Sequence, residues 1–437
     1  MLPIANAHVK WFADFDFGDR PLPLDDAITP AFIALAAVSA IVIAVLAALH
    51  GPMHETRLYR RIDAWLAARR EKSLLVLRVG TGAVMLLSWQ ADALLVPELA
   101  VGWAWLGWLQ FVVAFLLLFD ATVPLAGAGL LTLFAIAVGG VGPFHMLDYA
   151  LYAGVGYHLL VSGATDLRIR DSALPALYLT VGFSLCWVAL EKVIYPQWGL
   201  YLLAQNPRLA LGFDIDFFLL AAAFIEFALG YLLIINVLER PLALTVTLVF
   251  FLTTLVFGKI EVIGHTLIHA ALIVFLLEGP GRTFRPPIAI HRRTSLRMAF
   301  AAVNFLLLLL LLLPLYHWGA VRRYRAGSER VSTWAGPVGR APLPSGRSEP
   351  ASARSGPGAT ACAARSAPAC PAARAAPDSA SRRPASRRPA STHPASTVPA
   401  STTPASGTDA PRDPAPCSGA SDCRLLRVGD LRAQPWE

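Results

Sequence analysis

Charge is scarce in this sequence. Of 437 residues, 15% are Asp, Glu, Lys or Arg and 56% are apolar, with a mean hydropathy of +0.55. Soluble domains carry about 25% charged residues, so the composition fits lipid better than water as the solvent. Cysteine is scarce as well, at 5. Cys186 stands alone in an apolar stretch, where it reads as a small buried hydrophobe. Cys362, Cys370, Cys417 and Cys423 have spacings that match no zinc or haem signature. The chain also lacks every HExxH, CxxC, CxxCH, Walker and dinucleotide-binding glycine pattern.

A formal charge of +8 would ordinarily suggest nucleic acid as a partner. The excess is confined to one end. Residues 1–316 carry 20 Lys+Arg and 21 Asp+Glu, whereas residues 317–437 carry 17 and 8. The apolar part is thus near neutral and has no electrostatic reason to meet nucleic acid.

What is present is a series of apolar runs of the length that a helix needs to cross about 30 Å of hydrocarbon at 1.5 Å per residue. They predict an all-α polytopic bundle with about ten transmembrane helices, at residues 31–50, 74–90, 103–119, 122–140, 143–163, 174–191, 216–236, 241–258, 262–278 and 298–316. The fifth stands apart, because His145, Asp148, Tyr149, Tyr152 and His158 interrupt it and must face other helices.

Six basic residues lie in the loop 51–73 and five in 279–297, and Arg168, Arg170 and Arg240 join them on the same side if all ten helices cross. The positive-inside rule then places these loops in the cytoplasm, the protein in the inner (plasma) membrane and the N-terminus outside. Arg322, Arg323 and Arg325 follow the last helix and run against that rule.

Residues 1–30 are acidic and proline-punctuated, reading as an exported segment. An Ala-Asn-Ala triplet at residues 5–7 would suit a signal peptidase, but no apolar core precedes it. From residue 319 to 437 the chain turns to Ala, Pro, Ser and Arg, with the pentads RRPAS, RRPAS, THPAS, TVPAS and TTPAS. Regular proline forbids helix, and too little apolar surface is available to offset chain entropy, so a disordered tail is expected.

The membrane part reads as two parallel four-helix units, 74–163 and 174–279, with residues 31–73 supplying a first helix and its basic loop and 298–316 a last helix. FVVAFLLLFDATVPLAGAGLL in the first unit is echoed by AFIEFALGYLLIINVLERPLALTVTL in the second. The second unit, with VALEKVIYPQWG at 188–199 and IEFALGYLLIINVLERP at 225–241, resembles the DoxX-like family of small four-helix bacterial membrane proteins. The resemblance implies the fold first; some family members are linked to quinone-coupled sulfur oxidation. By motif position it also singles out Glu191, Lys192 and Glu226.

Ionisable groups inside hydrocarbon cost at least about 2.5–3.5 kcal/mol each, so those that persist mark candidate sites. Glu191, Lys192, Lys259, Glu261, His145 and Asp148 all fall in the outer halves of their helices and form a candidate polar cluster, unless they only mark helix ends. Glu226 is a buried carboxyl near mid-membrane. His265 and His269, at i and i+4, share a helix face and suit a metal ion only if Glu261, His145 or Asp148 completes the set; otherwise they are packing histidines.

Quinone, haem and a divalent metal are the cofactors that this pattern admits. Two functions are open: a redox-associated subunit with an outer quinone or metal site and a redox partner subunit, or a small-solute or metal permease. A non-catalytic accessory role stands behind both. The crowding of polar groups into one half favours the first.

Overall fold

The computed structural model describes residues 19–279 and 292–334. The expected disorder of the distal tail and the acidic start of the chain lie outside them. The described residues are helical, with one isolated bridge between Ala93 and Ala100. The principal helices are α1 (Pro30–Glu55), α2 (Arg57–Ala67), α3 (Ser73–Gln90), α4 (Ala104–Leu116), α5 (Val123–Val141) and α6 (Ala150–Val161). Then follow α7 (Ala173–Ile194), α8 (Pro196–Gln205), α9 (Ile215–Ile234), α10 (Glu239–Phe257), α11 (Lys259–Glu278) and α12 (Thr294–Trp334).

Local chemistry sets these boundaries. Thr29 accepts from the Phe32 amide at 3.2 Å and Pro30 opens α1, while Thr56 and Asp214 cap α2 and α9 in the same way. Gly258, at φ +73°, joins α10 directly to α11, a conformation that only glycine adopts without strain.

Each of the ten expected stretches contains a helix, but they are unequal. Among the described residues, seven helices, α1, α3, α5, α7, α9, α11 and α12, are long and apolar enough to cross a membrane. α4 and α6, at 13 and 12 residues, are about 20 and 18 Å long and fall short of a bilayer. The fifth stretch is broken: a turn of helix at Pro143–Met146 and a 3-10 turn at Leu147–Tyr149 precede α6. Gly142, at φ +95°, and Pro143 end α5 just before it; His145, Asp148 and Tyr149 occupy the irregular part, while Tyr152 and His158 lie in α6.

One segment read as a loop, and the first residues of the tail expected to be disordered, are helical. α2 has Leu58, Ile62 and Trp65 on one exposed face among arginines, the pattern of a helix lying in a membrane surface. The last helix continues to Trp334 rather than ending near residue 316, because proline is absent from residues 315–336.

Large apolar side chains stay exposed along the spans, such as Ile33, Ile41 and Leu49 on α1 and Leu307, Leu311 and Leu315 on α12. That surface belongs in lipid. Inside, α5 packs on α6, α6 on α7, α7 on α9, α10 on α11, and α11 back on α3, while α1 packs against α12 and α9. Helices α7 and α9 approach closely at Gly182 and Gly230, where a Cβ on either would stand 2.5 Å from the other's carbonyl oxygen.

The chain alternates between two ends. At the arginine end Ser73 Oγ donates to Glu278 at 2.5 Å, Tyr178 to the Gly279 carbonyl at 2.8 Å, and Arg240 Nε to the Leu276 carbonyl at 2.7 Å. At the tryptophan end the Leu22 amide donates to the Ile194 carbonyl and Trp198 Nε1 to Asp19. Arg323 reaches the Val141 carbonyl there, so one of the three arginines that oppose the charge rule serves as a helix C-cap.

Candidate functional site

At the tryptophan end, four ionisable side chains are carried inward by neighbouring elements. His145 and Asp148 come from the broken segment before α6, Glu191 from the last turn of α7, and Glu98 from the loop between α3 and α4. All four are buried, and His145 Nε2 lies 2.5 Å from Glu98 Oε1. Tyr316 of α12 lies within electrostatic reach of Glu191, Asp148 and Tyr195. Trp187 closes the apolar side, its ring 4.9 Å from that of Tyr316 and 5.7 Å from that of Phe144.

The loop that delivers Glu98 is held in place. Leu95 adopts φ +65°, unusual for a leucine. Its amide donates to Gln110 Oε1 at 2.8 Å, and its carbonyl accepts from Ser88 Oγ and Tyr152 Oη at 2.9 Å each. Gln110, fully buried on α4, also donates to the Met85 and Ala93 carbonyls. A buried side chain bonded at every polar atom fixes a unique arrangement, and here that arrangement aims Glu98 at the imidazole.

The six residues expected to form one polar cluster divide. Glu191 and Asp148 both lie within electrostatic reach of Tyr316, and His145 pairs with Glu98. Lys192, one residue beyond Glu191, points elsewhere and meets Glu226 of α9 at 2.5 Å. Glu226 is therefore no isolated carboxyl; it is a partly buried member of an ion pair. Lys259 is exposed at the α10–α11 elbow. Glu261 and His265 pair one turn apart on α11, and Phe250 stacks on His265 at 4.5 Å. His269, half-buried, meets the edge of the same phenyl ring at 6.3 Å.

Arg78 ties α3 to the turn before α5 through Asp120 and the Leu117 carbonyl. Tyr195 and Trp198 are buried and stack at 4.2 Å, whereas Trp103, Trp105, Trp108, Tyr201 and Trp318 are exposed, as aromatic rings at a membrane interface are. Both buried rings precede or follow Pro196, which folds α8 back against α9.

A second polar group, unforeseen in the sequence, sits at the arginine end. The ligand-type atoms of His50, His54 and Glu239 all lie within 4.8 Å of one another, and this is the one such group of three among the described residues. Tyr59 of α2 donates to Glu239 at 3.4 Å, and burial, then the neighbouring carboxylate, push its hydroxyl well above the ordinary tyrosine range. The signal was present as HGPMH, a histidine pair at i and i+4 ending α1, but its third member lies some 190 residues away.

Comparison with known families, with curated proteins and with solved structures finds no match for this chain.

Proposed function

We propose that this chain is a DoxX-like, redox-associated subunit of the inner membrane, whose acid–base cluster at the tryptophan end takes the head group of a quinone. The observation that carries this reading is the buried Glu98–His145 pair beside Asp148 and Glu191. Ordinary packing has little use for three carboxyls and an imidazole gathered in an apolar setting, since each is costly to bury. A quinone presents two carbonyl oxygens, and reduction by two electrons takes up two protons. His145 and the carboxyls supply donors and proton acceptors in that place, and the electrons come from a redox partner subunit.

Purified protein in detergent tests this directly. Addition of a short-chain quinone is expected to quench tryptophan fluorescence saturably, Trp187 being part of the wall. His145→Gln and Glu191→Gln are expected to weaken binding about tenfold or more. Absence of saturable quenching, or equal quenching in both variants, contradicts the reading. An absorption spectrum and metal analysis of the same preparation check for haem or a divalent metal in the quinone's stead.

A permease is the second reading. It is favoured by the polar group at the opposite end together with the Lys192–Glu226 pair between helices α7 and α9, because a path needs polar groups at more than one depth. Solute or metal flux into proteoliposomes, abolished by Glu226→Gln, would select it over the first.

A further inference from the structure

Glu239 opens α10 with its side chain 1% exposed, and one carboxylate oxygen, Oε2, has no hydrogen-bond partner. His54 Nε2 stands 3.8 Å from the other oxygen and is likewise buried without a hydrogen bond. Leaving a charged acceptor and an imidazole nitrogen unsatisfied away from water is unfavourable by about 1–3 kcal/mol or more per group. Two such atoms aimed at one point imply something that both can bind.

The geometry of the backbone supports the same point. His50 and His54 are one turn apart, so their rings share a face, with centroids 4.4 Å apart. The link from α9 to α10 brings Glu239 onto that face through Asn236 and Leu238, both at positive φ (+53° and +54°). Non-glycine residues hold such a conformation only where the surroundings impose it. The Asn236 side chain is fully buried, and neither its nitrogen nor its oxygen has a partner.

We propose that His50, His54 and Glu239 form a site for a divalent transition-metal ion of the zinc class, completed by water. Two imidazoles and one carboxylate are a familiar three-ligand set for zinc with an open fourth position. The carboxylate's second oxygen and His54 Nε2 are then ligands instead of orphans. His50 Nδ1 accepts a 3.2 Å bond from the Leu238 amide, the contact with which a bound ion competes. The neighbouring guanidinium of Arg240 is answered by Asp63, which limits its repulsion of a cation.

This inference is independent of the quinone proposal, since the two groups occupy opposite ends of the bundle. The test uses the full chain in detergent with cobalt(II) as the probe and zinc as competitor. One equivalent of cobalt is expected to bind and give visible bands of a four-coordinate ion, which zinc abolishes. His54→Ala and Glu239→Gln each lower the affinity about tenfold or more, while the double substitution of His265 and His269 by alanine leaves it unchanged. His54→Cys should retain binding and add a near-ultraviolet thiolate-to-cobalt band, a signature that only a coordinating residue produces. The proposal is overturned if folded wild-type protein binds no cobalt, if His54→Ala binds as tightly as wild type, or if the His54→Cys protein binds cobalt without that band.

Discussion

His145 and Glu98 hold each other in a setting where neither would be tolerated alone. Loss of one member of such a buried pair destabilises a protein by about 3–5 kcal/mol, because the other is left uncompensated. Glu98→Leu and His145→Leu are each expected to lower the melting temperature in detergent, and the double variant to fall by less than the sum. Strict additivity would mean that the two side chains do not interact. The Lys192–Glu226 pair permits a sharper version, since its members lie on facing helices: Lys192→Met alone should destabilise, and addition of Glu226→Leu should recover most of the loss. At this scale the sequence was legible wherever a charge interrupted an apolar run, which found His145, Asp148, Glu191, Lys192 and Glu226. It was silent on partners. Glu98 lies in a loop, where a carboxyl is unremarkable in sequence, and its burial depends on Gln110 and on a left-handed Leu95.

Helices were legible as elements because apolar run length is set by the bilayer and each run stands out from its flanks. Their ends were less so. The turn at Leu147–Tyr149 breaks the fifth stretch at a place where hydropathy alone continues, and α12 runs on through polar residues that lipid arguments ignore but helix propensity allows. The contact between α7 and α9 rests on two glycines with no room for a methyl group. Gly182→Ala is expected to destabilise the protein by about 1–3 kcal/mol, read as a lowered unfolding midpoint; an unchanged midpoint would show that the helices separate easily. Helix α2 should lie in the membrane surface with Leu58, Ile62 and Trp65 toward lipid. A bimane-type label at Ile62→Cys is then quenched by lipid-borne quenchers, and one at Arg61→Cys by aqueous ones; the reverse pattern would turn the helix over.

Over the whole molecule, the packing order has a regularity that single helices do not reveal. The last helix of the first expected unit, α6, packs on the first helix of the second, α7, and the last helix of the second, α11, packs on the first of the first, α3. The same alternation gathers Arg57, Arg60, Arg61, Arg70 and Arg240 with Arg297 at one end, and sets the acid–base cluster and the exposed tryptophans at the other. By the positive-inside rule we propose that the arginine end faces the cytoplasm. Cysteine accessibility in intact cells tests this account most directly, with single cysteines at Arg61, Arg293 and Tyr201. The account predicts that a membrane-impermeant maleimide labels Tyr201→Cys in intact cells and reaches Arg61→Cys and Arg293→Cys only after permeabilisation. Labelling of Arg61→Cys or Arg293→Cys from outside, or of all three positions equally in intact cells, would contradict it.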